Sequence, residues 1–117
     1  MIRLEKLNIG NWLEVVNLSV SKEQMEVFPI PNVYWLGISQ FEEYTTLYAI
    51  VCDNINVGLI GLGYDEDGVS GFINPLMIDA KYQGHGYSKE GLKLAINILK
   101  NEYHVPEIHI GHRKENI

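Results

Sequence analysis

The chain has 117 residues, of which 46% are hydrophobic and 21% charged, which describes one globular domain and excludes a disordered chain. Its formal net charge of −6 argues against a nucleic-acid partner, since phosphate backbones require clustered Lys and Arg, and it is compatible with a cationic substrate. Short apolar runs predict no membrane partner, the charged N-terminal segment is unlike a signal peptide, and the single cysteine predicts a cytoplasmic location.

The first third of the chain combines a predicted strand with predicted helices. Residues 2–7 alternate apolar and polar side chains, which is typical of a half-buried strand. Asn8 or Asn11 is expected to cap the helix that follows. Capping-box spacing predicts a short helix over residues 22–27, and residues 34–44 are predicted to be helical.

The middle of the chain reads as consecutive strands. Residues 47–52 and 57–64 are apolar, and the Asn- and Asp-rich residues 53–56 between them predict a tight turn and therefore a hairpin. Residues 69–78 form the next predicted strand. Pro75 lies inside it and has no N–H to donate, which predicts a bulge or a splayed edge.

From Ser88 onward apolar residues recur at helical spacing, and residues 107–111 form a last predicted strand. The order of elements predicts a single α/β (α+β) domain over residues 1–117 with a mixed sheet.

A glycine-bearing loop joins the strand ending at Ile78 to this helix, and it reads Gln83-Gly84-His85-Gly86-Tyr87-Ser88. The first N–H groups of a helix have no partners within it, and the peptide dipoles add positive charge there. An anion binds at such an end if no side chain blocks it, and Gly84 and Gly86 remove the blocking Cβ atoms. The order therefore predicts a backbone site for a phosphorylated small molecule.

Two familiar phosphate motifs do not fit this loop. No Gly-Lys-Ser/Thr follows the first glycine, so it is not a Walker loop. A dinucleotide fingerprint needs three glycines near the first strand of its unit. The loop instead resembles the Gln/Arg-x-x-Gly-x-Gly/Ala motif of the GNAT superfamily of N-acetyltransferases, with Ser88 where Gly or Ala is usual.

The resemblance implies a mixed, mostly antiparallel sheet flanked by helices, with acetyl-CoA as co-substrate. Residues 76–78 look like the family's fourth strand, which splays from the fifth and pairs with the pantetheine arm. Residues 108–116 are similar to the fifth strand and the Asn after it. Residues 57–91 most resemble the bacterial spermine/spermidine (diamine) branch, which implies a small primary amine, possibly a polyamine, as acceptor.

The resemblance also assigns site residues. The implied cofactor-binding residues are Met77, Ile78, Gln83, Gly84, His85, Gly86, Tyr87, Ser88 and Asn116. Glu42 and Glu43 lie where the family's second helix borders the acceptor site, and they are either substrate-binding residues or part of a solvated helix face. No catalytic residue is assigned. No metal site is expected, because His109 and His112 lack the spacing of helical ligands and have no accompanying Cys.

The family pattern continues beyond the fifth strand with a helix that carries a Tyr and with further strand segments, which this chain is expected to lack. Two functions therefore stay open: an N-acetyltransferase, or an acetyl-CoA-binding module without turnover. The resemblance further implies an uncovered edge at Ile108 and Ile110. Such an edge predicts a homo-oligomer.

Overall fold

The sheet has five strands in the order β1-β2-β3-β4-β5. The computed structural model describes residues 1–18, 32–41 and 44–110. The first four strands pair antiparallel in sequence order, and β5 lies parallel to β4. This confirms the mixed, mostly antiparallel architecture. The strands are β1 (Ile2–Lys6), β2 (Thr45–Cys52), β3 (Ile55–Tyr64), β4 (Ser70–Ile78) and β5 (Glu107–Ile110).

The helices pack on both faces of this sheet. They are α1 (Trp12–Val16), α2 (Asn32–Phe41) and α3 (Tyr87–Asn101). The predicted helix over residues 34–44 is confirmed as α2, whereas the one over residues 22–27 lies outside the described residues. None of the described helices is both long and apolar enough to cross a bilayer.

The predicted cap of α1 is corrected by the structure. Asn11 occupies the N-cap position but makes no side-chain bond to the helix. Its carboxamide oxygen instead accepts from the N–H of Asn8 at 2.8 Å. The Asn8 oxygen accepts from the N–H groups of Gly10 and Asn11 at 2.7 and 3.1 Å. The two side chains therefore stabilise the turn before α1 rather than the helix itself.

The β2–β3 hairpin is tighter than predicted. Asp53 and Asn54 have φ values of 49° and 70°, and Cys52 already pairs with Ile55. Two consecutive residues at positive φ form the type of turn whose twist matches a two-residue hairpin. The turn therefore contains only Asp53 and Asn54, and β3 begins two residues before the predicted position.

The predicted irregularity at Pro75 is confirmed as a bulge in β4. Ile60 pairs with Leu76 and Leu62 pairs with Ile73, so Gly61 alone faces both Asn74 and Pro75. An extra residue in one strand bends that strand and changes its local twist. The described pairs of β4 with β5 run from Ser70 with Glu107 to Ile73 with Ile110.

The two faces of the sheet bury different clusters. On the α3 face, the buried helix residues Ala95 and Leu99 pack with strand residues that include Ile50, Ile60 and Ile73. On the α1 and α2 face the buried cluster contains Val15, Leu47, Ala49, Val51, Leu59 and Met77. The first of these clusters holds α3 against the sheet and so fixes the position of its N-terminus.

Candidate functional site

The segment of residues 79–86, which we call the β4–α3 loop, is anchored where it leaves the sheet. Asp79 is buried, and its N–H donates to the carbonyl oxygen of Val57 in β3 at 2.8 Å. Its own carbonyl oxygen accepts from the N–H of Tyr82 at 2.8 Å, which closes the short 3-10 turn Ala80–Tyr82. Asp79 therefore shapes the turn before the glycines through its backbone.

The side chain of Gln83 points back to the strand. Its Nε2 donates to the carbonyl oxygen of Ile78 at 2.9 Å, in a partly buried position. The sequence predicts that Gln83 contacts the cofactor. In the structure its carboxamide is hydrogen-bonded to the end of β4.

Both glycines of the loop adopt backbone conformations that favour glycine. Gly84 has φ +87° and Gly86 has φ +78°, and Gly86 is the N-cap of α3. A Cβ atom built on either residue would have no other heavy atom within 4 Å. The loop thus leaves open space beside the first turn of α3, as a bound anion requires.

Among the described residues, the backbone donors that border this space have no partners. The first N–H satisfied by the helix is that of Glu90, which donates to the Gly86 carbonyl oxygen at 3.2 Å. Across residues 1–18, 32–41 and 44–110, nothing accepts from the N–H groups of residues 84–89. A run of unpaired N–H groups at the positive end of a 15-residue helix matches the needs of a phosphate group.

A second set of backbone groups lies at the end of β4 and points away from β3. Asp79 bonds to Val57, so the alternation of an antiparallel ladder turns the N–H and C=O of Met77 towards β3. The peptide groups of Leu76 and Ile78 then face the side away from β3, where the described pairs of β4 with β5 reach only from Ser70 to Ile73. In the described part of the chain only Gln83 bonds to them. We call this side of residues 76–78 the open edge.

The remaining side chains of the loop face outward or anchor the helix. His85 and Ser88 are exposed, and the His85 ring stacks on the Tyr87 ring with centroids 5.3 Å apart and an interplanar angle of 27°. Hydrogen bonding to the Cys52 side chain, and then burial, raises the pKa of Tyr87. Tyr87 and Cys52 both pack against the buried cluster on the α3 face of the sheet.

The structure brings together most of the residues that sequence analysis assigned to the cofactor. Ile78 contributes to the open edge, and residues 83–88 surround the N-terminus of α3. Met77 is placed between them, but its peptide groups face β3. Glu42, Glu43 and Asn116 lie outside the described residues. Among the described residues, no three His, Cys, Asp or Glu side chains could share a metal ion.

Sequence analysis missed two residues whose backbone groups belong to the candidate site. Leu76 supplies outward peptide groups, which the sequence could not show because the bulge opposite Gly61 shifts the alternation. Lys89 supplies the last unpaired N–H of the run, and counting the free donors of the first helical turn would have included it.

Comparison with known proteins places this geometry in context. The family model for the acetyltransferase (GNAT) family matches residues 12–117. None of the curated proteins is similar enough in sequence to count as a match.

Similar folds occur among solved structures. Spermidine N-acetyltransferase from Vibrio cholerae, in complex with CoA and spermine, has a TM-score of 0.77 at 16% identity, over 98% of this chain and 73% of that one. Ribosomal-protein-alanine N-acetyltransferase from Brucella melitensis biovar Abortus 2308 has a TM-score of 0.71 at 12% identity, over 97% and 82%. At such identities the likeness concerns the fold.

Proposed function

The chain belongs to the GNAT family of acetyltransferases, and we propose that it acetylates a primary amine of a small molecule, with polyamines such as spermidine preferred. Membership makes it an N-acetyltransferase that uses acetyl-CoA. The alternative of a binding module without turnover gains no support from the comparisons. The observation that carries the proposal is the run of unpaired N–H groups beside the open edge of β4.

We propose that the pyrophosphate of acetyl-CoA is held by the backbone of residues 84–89. Its charge would complement the helix dipole, and a Cβ atom built on Gly84 or Gly86 meets no other heavy atom within 4 Å, which leaves room on this side of the loop. The exposed ammonium groups of Lys81 and Lys89 are the cations nearest in sequence to these donors. Backbone recognition of this kind depends on the shape of the loop more than on its side chains.

The open edge suits the extended pantetheine arm. The outward N–H and C=O groups of Leu76 and the outward N–H of Ile78 offer the pairing that an added strand would use, while the Ile78 C=O accepts from Gln83. When bound there, acetyl-CoA supplies an acetyl group activated as a thioester. An outward N–H of this edge can stabilise negative charge on the acyl oxygen, because the donor is fixed before the reaction begins. We therefore place Ile78 rather than Met77 in this role.

Three features support a polyamine acceptor. The net charge of −6 attracts cations, and residues 57–91 resemble the diamine branch of the family. The fold is similar to that of the Vibrio spermidine N-acetyltransferase. Glu42 and Glu43 follow directly after α2, and we propose that their carboxylates bind the ammonium groups of the acceptor.

An acceptor screen tests this proposal. Purified protein with saturating acetyl-CoA is offered spermidine, spermine, a peptide with N-terminal alanine, and an aminoglycoside, and the release of free CoA thiol is followed. We expect the highest kcat/KM with the polyamines. Glu42→Gln with Glu43→Gln should raise KM for spermidine and leave KM for acetyl-CoA unchanged. Acetylation of the peptide or the aminoglycoside, with spermidine inert, would overturn the choice of acceptor.

Three further predictions concern the molecule's surroundings. We propose self-association through β5, which is the outermost described strand beside β4 and has Ile110 38% exposed. Light scattering on the purified protein tests this, and a monomer at high concentration would contradict it. A cytoplasmic location and the lack of a nucleic-acid partner also stay predictions.

A further inference from the structure

We propose that Gln83 is a positioning residue that holds the β4–α3 loop in register with the open edge of β4, so that one ligand engages both at once. The inference rests on the proposed binding of CoA and adds a role that backbone recognition alone does not require. It concerns the relative placement of the two half-sites rather than either one alone.

The geometry places Gln83 between the two half-sites. Its Nε2 lies 2.9 Å from the carbonyl oxygen of Ile78, five residues earlier in the chain. That carbonyl belongs to the outward-facing groups of the open edge. On the other side of Gln83, Gly84 supplies the first of the unpaired N–H groups. One side-chain hydrogen bond therefore connects the last residue of β4 to the start of the phosphate-binding backbone.

A restraint at this point matters because the next residues are permissive. Gly84 and Gly86 both sit at positive φ, and glycine samples other backbone conformations at little cost. Among the described residues, the backbone bonds of Asp79 and Tyr82 anchor the part of the loop before Gln83. The loop could otherwise hold a phosphate in several positions relative to the strand.

The advantage of a fixed register appears only for a ligand that spans both half-sites. Linking two binding groups increases affinity when their geometry lets both engage together, and the gain is lost when the sites move independently. Pre-ordering the site also removes an entropic cost of binding. Loss of the Gln83 hydrogen bond should thus weaken the binding of CoA more than the binding of ADP or of pantetheine, which are the two halves of CoA.

Four variants test this role. Gln83→Met has similar size but no donor, and Gln83→Asn keeps a donor that is too short to reach Ile78. Gln83→Arg restores a long planar donor. Gln40→Met changes an exposed glutamine of α2 and serves as the matched control. For each folded variant, titration gives the dissociation constants of CoA, ADP and pantetheine, and steady-state kinetics gives KM for acetyl-CoA.

We expect Gln83→Met and Gln83→Asn to raise the dissociation constant of CoA about tenfold, because each removes a hydrogen bond that orders the site. The dissociation constants of ADP and pantetheine should change by less than about twofold, since each ligand needs only one half-site. Gln83→Arg should recover most of the loss, and Gln40→Met should match the wild type. An equal loss of affinity for ADP and for CoA in these variants, or no loss of affinity for CoA, would overturn the inference. Either result would leave the proposal that the protein binds CoA intact. A wild-type protein that fails to bind CoA would instead overturn the proposed function on which the inference rests.

Discussion

Gly61 of β3 lies so close to Pro75 of β4 that a Cβ atom on the glycine would sit 2.8 Å from the proline Cδ. The same atom would also crowd the carbonyl oxygen of Asn74 and would lie 3.0 Å from Leu47 Cδ2. These contacts lie at the bulge of β4, where Gly61 alone faces Asn74 and Pro75. The absence of a side chain at residue 61 therefore lets β4 bulge and present its open edge.

Gly61→Ala should accordingly damage both stability and binding. Forcing a methyl group into a packed position costs about 1–3 kcal/mol in the free energy of unfolding. Relief of the clash has to move Asn74 and Pro75, and with them the outward groups of Leu76 and Ile78. We expect weaker CoA binding in the variant that remains folded, measured by titration alongside urea unfolding.

Gly37→Ala is the matched control, because a Cβ built on this exposed glycine of α2 meets no atom within 4 Å. Alanine has the higher helix propensity, so this variant should gain about 0.5–1 kcal/mol and leave CoA affinity unchanged. An unaltered stability in Gly61→Ala would contradict the role given to this close approach.

Gly86→Val tests the anion site at the N-cap of α3. The residue has φ +78°, so a branched side chain is strained there, and it would also fill the space beside the unpaired N–H groups. We expect CoA binding to be abolished in the folded variant. Gly68→Val is strained in the same way at φ +73°, but it lies in the β3–β4 turn and should leave CoA affinity unchanged. Retained CoA binding in folded Gly86→Val would place the site elsewhere.

Ser88→Asp should separate the stability of α3 from its function as an anion site. Ser88 is exposed in the first turn, where a carboxylate interacts favourably with the helix dipole and should stabilise the protein by about 0.3–1 kcal/mol. The same carboxylate competes for the free N–H groups and repels phosphate, so CoA affinity should fall at least about tenfold. Ser88→Asn has nearly the same shape without the charge, and it should bind CoA more tightly than the Asp variant. Equal CoA affinity in the two variants would argue that phosphate does not approach this turn.

Much of the architecture could be predicted because the decisive patterns are local. Alternation identified β1, the apolar runs identified β2 and β3, and Pro75 indicated the bulge before its position was known. The loop and α3 followed from the glycines and the helical spacing after them. Each of these signals depends on residues that are close together in sequence.

What the sequence could not provide depends on pairing between distant segments. Whether Met77 or Ile78 faces the open edge is decided by the register against β3, which shifts at Gly61. The hydrogen bond from Gln83 to Ile78 requires the loop to fold back onto its own strand. The two-residue turn at Asp53 and Asn54 likewise depends on how Cys52 and Ile55 pair.

Tyr48 lies at the centre of the α3 face and gives the protein a sensitivity to alkaline pH. The residue is 5% exposed, and burial raises its pKa well above the ordinary range, with hydrogen bonding to Tyr103 adding to the shift. Tyr103 also packs on Tyr64, with ring centroids 5.2 Å apart. The cluster thus stabilises the neutral form of the Tyr48 hydroxyl in the folded state.

The pKa of a tyrosine in the unfolded chain is about 10. A tyrosine whose pKa is raised on folding makes its full contribution to stability below that pH, and the contribution is lost as the pH rises above it. Above this pH the unfolded chain releases the Tyr48 proton while the folded chain retains it. Wild-type stability should therefore decline relative to Tyr48→Phe by up to about 1.4 kcal/mol per pH unit. Near pH 8 both side chains are neutral, so the stability difference measured there is the baseline for the comparison. Urea unfolding of both proteins between pH 8 and 11 measures the difference in their free energies of unfolding. The other tyrosines and the lysines are present in both proteins, so their titration cancels in this difference. Curves that stay parallel over this range would show that Tyr48 ionises alike in the folded and unfolded states.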